Sequence, residues 1–146
     1  MDKVKQALCR FEEGFNCSQS VFTAYSADYG LTDEQALKLS ESFGGGMALG
    51  ETCGAVTGAF LVLGLEHGRT EAGDDESKQK TKELVREFAA QFEEQYGSLT
   101  CKGLLKVDIS TADGHQAAKE QDLFHAVCPR FVQSAVEILE QTLNGD

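Results

Sequence analysis

Apolar residues return along most of this chain at the three- and four-residue spacing of a helix that buries one face. Nowhere do they alternate for long enough to suggest a strand. Val4, Leu8, Phe11 and Phe15 set the first stripe, and the Gly14-Phe15-Asn16 break separates it from a second helix expected from Cys17 to about Tyr29, where Gly30 ends it. Thr32-Asp33-Glu34-Gln35 has the form of a capping box, in which the Thr and Gln side chains each satisfy a backbone amide of the opening turn. It starts a third helix through Ala36, Leu39, Ser40 and Phe43. A glycine-rich loop, Gly44 to Glu51, leads to an uncharged stretch from Thr52 to Leu65. That stretch is too short to span a bilayer and reads as a buried central helix. After the acidic residues that follow Gly68, the positions Leu84, Val85, Phe88, Ala89, Phe92 and Tyr96 form another stripe, stopped at Gly97-Ser98. Thr100-Cys101 suits the start of a short helix, Ser110-Thr111-Ala112-Asp113 a cap for a polar segment to about Gln121, and Phe131, Val132, Ala135, Val136, Leu139 and Leu143 a last helix from Pro129. The pattern predicts an all-α fold, one multi-helix bundle over residues 1–146, with no repeat or linker dividing it.

A chain of 146 residues buries about two-thirds of its unfolded surface, so a core is attainable without disulfide staples. The formal net charge of −11 argues against nucleic acid, whose phosphates demand a basic face. No stretch suits a membrane span. The opening residues, Met1 to Gln6, are polar and amphipathic, with no apolar run of the secretory kind, so the expected location is the cytoplasm with reduced thiols.

The candidate chemistry lies in the cysteines. Of five, Cys17, Cys53, Cys101 and Cys128 each stand where the local sequence starts a helix. Asn16 and Gln19 frame Cys17, a Thr cap precedes both Cys53 and Cys101, and Cys128 precedes a Pro suited to the first helical position. A helix start offers unpaired N–H groups and the positive end of the macrodipole, which favour thiolate, the form that binds metals and attacks disulfides. Cys9 has no such signal and reads as a small apolar packing residue. No pair is a Cys-x-x-Cys, so any shared site must be assembled by the fold. The alternative is that all five are buried packing residues.

Gly44-Gly45-Gly46 is not a phosphate loop, because no strand precedes it and no Lys follows at the required place. Three glycines before a capped cysteine instead let backbone N–H groups approach sulfur or an anionic cluster. In the following helix Gly54, Ala55, Gly58 and Ala59 share one face, and a mid-helix glycine such as Gly58 points to close approach by another helix or a bound group. A second copy of the chain packing on that face would make a homodimer.

Together, Asn16-Cys17-Ser18-Gln19, Phe43-Gly44-Gly45-Gly46, Cys53-Gly54-Ala55-Val56-Thr57-Gly58, Cys101 and Cys128 resemble the redox-active family named for its C, GCAxxG, C, C motif. The resemblance covers nearly the whole chain in order. It departs in one place: the family places Gly before Cys, whereas this chain reads Cys53-Gly54, which shifts the sulfur by one position, about 100° around a helix. The resemblance implies a helical protein, mostly of anaerobic microbes, in which Cys17, Cys53, Cys101 and Cys128 form a redox or metal centre near Gly44, Gly45, Gly46, Gly54 and Gly58. An iron–sulfur cluster is the implied cofactor and zinc the alternative, with an unidentified electron donor or acceptor as partner. No haem attachment motif is present.

His67 suits a helix C-terminus, His115 an exposed position, and His125, three residues before Cys128, a ligand or tuning role. No Ser/His/Asp arrangement or carboxylate pair supports hydrolysis. The residues leave three readings open: a redox centre with a cluster, a thiol–disulfide oxidoreductase without metal, and a non-enzymatic helical module with structural zinc.

Overall fold

Residues 2–145 are described by the computed structural model of the chain. Helices α1 (Lys3–Glu12), α2 (Cys17–Thr23), α3 (Asp33–Glu41), α4 (Gly54–His67), α5 (Asp75–Tyr96), α6 (Cys101–Leu105), α7 (Ala112–Glu120), α8 (Leu123–Ala126) and α9 (Cys128–Asn144) follow one another with no strand among the described residues. The all-α, single-domain expectation is met, and no helix among these residues is long and apolar enough to cross a membrane.

Helix starts and stops follow local chemistry. Asn16 with Gln19, and Thr32 with Gln35, form complete capping boxes at α2 and α3. Thr100 and Thr111 accept from the third amide of α6 and α7. Gly30 and Gly97 close their helices with φ of 84° and 80°, a conformation glycine adopts without a Cβ clash. The second helix is shorter than its sequence suggests: α2 ends at Thr23, and a separate 3₁₀ turn covers Ser26–Tyr29. Both segments still bury one face, through Val21, Phe22, Tyr25 and Ser26.

Helix α4 runs through the middle, buried nearly all round, against α2, α5 and α9. Val56, Ala59, Val62 and Leu63 meet Leu84, Phe88 and Phe92 of α5 and Phe131, Val132, Ala135, Val136 and Leu139 of α9 in one core. Phe88, Phe92, Tyr96 and Phe131 continue it as a chain of ring contacts with centroids 5.0–6.3 Å apart. The small-residue face of α4 is filled by α2. A Cβ built on Gly58 would stand 2.8 Å from the carbonyl oxygen of Ser18, and one on Gly54 would stand 3.0 Å from its amide. Close helix packing within the chain therefore accounts for Gly58, and this face is not free to receive a second copy.

Candidate functional site

The seam between α2 and α4 fixes the first two cysteines. Cys17 opens α2 directly after its capping box, and Cys53 is the N-cap residue of α4, where ψ of 137° turns the chain into the helix. Thr52 does not cap α4, contrary to the local reading. It forms an isolated antiparallel bridge with Thr100, in which the Cys53 amide donates to the Leu99 carbonyl (2.8 Å) and the Cys101 amide to the Glu51 carbonyl (2.6 Å). That short ladder sets Cys101, the first residue of α6, beside Cys53. Cys128 is delivered by the first turn of α9, with Pro129 next to it.

All four line a single cavity of about 740 Å³. Cys53, Cys101 and Cys128 are buried, Cys17 is partly exposed at the wall, and all four thiols are free. Cys9 takes no part. It is exposed on α1, not packed in the core as its apolar neighbours suggested. Cys9 follows the buried Ala7 by two residues, about 200° around the helix, so it faces away from the bundle.

The thiols differ in proton affinity. Cys17 is held well above the ordinary value by hydrogen bonding to Cys128 and Cys53 and by burial. Cys53 is pushed down, first by the Cys17 thiol donating to it and then by the amides of Ala55 and Val56, against the opposing cost of burial. Cys101 is pushed up to about 12, chiefly by burial, with the nearby charges of Cys53 and Cys128 adding to it. Cys17 is thus the protonated centre of a contact trio, Cys53 its readiest thiolate, and Cys101 a more distant member coupled through charge. Cys17 links Cys53 and Cys128, although among the described residues no three His, Cys, Asp or Glu side chains are grouped to hold a single metal ion.

The glycines divide by role. Gly44, Gly45 and Gly54 line the cavity. Gly44 also leaves room for Asn16, whose side chain would lie 2.3 Å from a Cβ there and which caps the helix carrying Cys17. Gly46 is buried against the backbone of Glu51, and Gly58 packs on α2 away from the cavity. Met47 and Ala48 complete the loop in the left-handed region at φ 60°, a conformation that costs a side-chain-bearing residue about 1–3 kcal/mol.

The outer cavity holds residues the sequence did not single out as a site. Phe11, Phe15, Phe124, Leu104 and Ile109 form apolar walls. His115 and His125 also line it, although both are exposed. His115 lies against Phe124 with centroids 5.4 Å apart, and His125 Nδ1 is 2.9 Å from an Asp122 carboxylate oxygen. His67 stands in the last turn of α4, the end where a partly positive ring is favoured. Phe124 carries no periodic signal in the sequence. Its position depends on Asp122, whose φ of 55° breaks α7 from the single turn of α8.

The model of one protein family matches residues 15–142, and its description is "Putative redox-active protein (C_GCAxxG_C_C)". The chain belongs to the C_GCAxxG_C_C family. No curated protein and no solved structure matches it. The matched span contains the four cavity cysteines and begins after Cys9. The exchanged order Cys53-Gly54 leaves the sulfur on the cavity wall, because Cys53 stands before the helix, where the extended backbone sets its direction.

Proposed function

We propose that this C_GCAxxG_C_C protein is an electron-transfer protein whose centre, formed by Cys17, Cys53, Cys101 and Cys128, holds an iron–sulfur cluster. One observation carries the reading: four helix starts, far apart in sequence, deliver four thiols to one cavity and leave the fifth outside. A Cys₄ set is the usual ligand set of such clusters. The bound cluster supplies one-electron transfer. The chain's own residues hold the thiolates, offset their charge with the amides of Ala55 and Val56 and the helix starts, and keep bulk water from the buried sulfurs. The partner is an electron donor or acceptor, and a reducing compartment such as the cytoplasm suits free thiols.

The contact between Cys17 and Cys53 favours a second reading, a dithiol centre. The Cys53 thiolate would attack the S–S bond of a disulfide substrate, forming a mixed disulfide and releasing one substrate sulfur, which takes the Cys17 proton. The Cys17 thiolate would then attack Cys53 and release the second substrate sulfur, so that two electrons pass to the substrate and a Cys17–Cys53 disulfide remains.

Reconstitution with iron and sulfide under anaerobic conditions tests these readings. The expected result is visible absorption with bound iron and sulfide, bleached by Ser at position 17, 53, 101 or 128 and kept in Cys9→Ser. Colourless protein that binds no metal but forms a Cys17–Cys53 disulfide would select the dithiol. One zinc per chain with no colour would select a structural metal module.

A further inference from the structure

The cavity is larger and differently built than a ligand set for a cluster requires. At about 740 Å³ it falls within the range of sites that hold small organic molecules, and like them it combines apolar and aromatic walls with a few polar groups. The sulfurs account for only part of its lining. Phe124, with His115 against it, offers a ring surface, and the backbone of Gly44 and Gly45 adds a stretch of wall without side chains.

The backbone supports the same conclusion independently. Among the described residues, the non-glycine positions with positive φ are Met47, Ala48, Lys106 and Asp122. One of them lines this cavity, and the other three stand within two residues of a lining position in sequence. Ala48 lines it, Met47 precedes Ala48, Lys106 follows the lining residue Leu105, and Asp122 sets the turn that carries Phe124 and His125. Strain of this kind persists where the surrounding structure enforces it, and it gathers at ligand sites. None of the four is one of the cavity cysteines, and Ala48 places one strained residue in the wall itself.

We propose that the outer cavity is a binding site for a small, uncharged, planar aromatic molecule stacked on Phe124, with His115 alongside, next to the cysteine centre. The binding stands on the cavity alone; its purpose, to bring a redox partner to the sulfurs, rests on the reading of Cys17, Cys53, Cys101 and Cys128 as a redox centre. Flat rings suit the site because aromatic walls favour stacking, which tolerates varied substituents, whereas His125 is already engaged by Asp122 and Glu12 would oppose an anion.

Riboflavin, an uncharged planar aromatic whose fluorescence is quenched on stacking, is the probe. Titrated into the purified full chain, it should show saturable quenching at one site per chain. Phe124→Leu, which keeps apolar bulk but removes the ring, should weaken binding about tenfold, the equivalent of one stacking contact. Phe124→Ala should do at least as much, and Cys9→Ser should leave binding unchanged. Bound riboflavin should also slow alkylation of Cys53 by iodoacetamide without slowing that of Cys9. Quenching that never saturates, equal binding by Phe124→Leu, unprotected Cys53, or displacement of riboflavin by decanoate, a flexible chain without a ring, would each overturn the proposal. Riboflavin binding by a chain that takes up no metal and forms no disulfide would overturn the redox reading and leave this site standing. A coloured, reconstituted chain that does not bind riboflavin would do the reverse.

Discussion

Thr52 and Thr100 pair as a lone antiparallel bridge, and the residue after each is a cysteine of the cavity. The two backbone hydrogen bonds of that bridge, at 2.8 and 2.6 Å, hold the starts of α4 and α6 side by side. Two thiols are thus positioned by main-chain bonds that no side-chain substitution removes directly.

The proton affinities give a pH test on reduced, metal-free protein. Cys53, pushed below its ordinary value, should alkylate at lower pH than Cys101, whose rate should keep rising as pH climbs toward about 12. A raised folded-state pKa also fixes the sign for stability. Cys101 contributes stability that is fully present below its unfolded value near 9 and lost as pH rises from there toward 12, because the unfolded chain ionises first. The melting temperature should therefore fall across that range, and less steeply in Cys101→Ala. Alkylation followed residue by residue by mass spectrometry, with melts against pH, checks both.

Two glycines of α4 should respond in opposite directions to the same change. Gly58→Ala places a methyl 2.8 Å from the Ser18 carbonyl oxygen. The overpacking cost of about 1–3 kcal/mol should exceed the helix-propensity gain of about 1 kcal/mol. Gly64→Ala meets nothing within 4 Å and should stabilise the fold by up to about 1 kcal/mol. Urea denaturation of the two variants measures the contrast.

Asn16→Ala removes the cap of α2 and its bonds to Glu41, and should cost about 1 kcal/mol. Because Cys17 is the first residue of that helix, the loss should also raise the alkylation rate of Cys17 relative to Cys128 as the first turn frays. Thermal melts and the ratio of the two modification rates test the two parts separately.

The left-handed loop offers a direct measure of strain. Ala48→Gly should leave stability unchanged or raise it by up to about 1 kcal/mol, since glycine adopts φ near 60° without a Cβ penalty. Ala48→Val should lower it by more than about 1 kcal/mol, because a β-branched residue fits that region poorly. Denaturation midpoints of both variants decide it.

Much of this arrangement is legible in the sequence because its causes are local. The capping boxes at Asn16 and Thr32, the Thr100 cap, the glycine stops at Gly30 and Gly97 and the apolar stripes of α5 and α9 all act within one or two turns. What the sequence hides depends on distant partners. Thr52 precedes a helix and looks like its cap, but its pairing with Thr100 belongs to a part of the chain with no local signature. Cys9 sits among apolar residues, yet a difference of two positions turns it to solvent. The cavity role of Phe124 and His115 depends on the left-handed turn at Asp122, which an Asp in a polar segment does not announce.

The dispersal of the four sulfurs along the chain has a consequence for assembly. No single helix or hairpin contains the set, so the centre has no local precursor and comes into being only when α2, α4, α6 and α9 have docked. Contacts of that sequence separation form late and slowly compared with helix formation. Under the proposed cluster reading, capture would mark the end of folding, because a nascent or partly unfolded chain exposes thiols without bringing all four together.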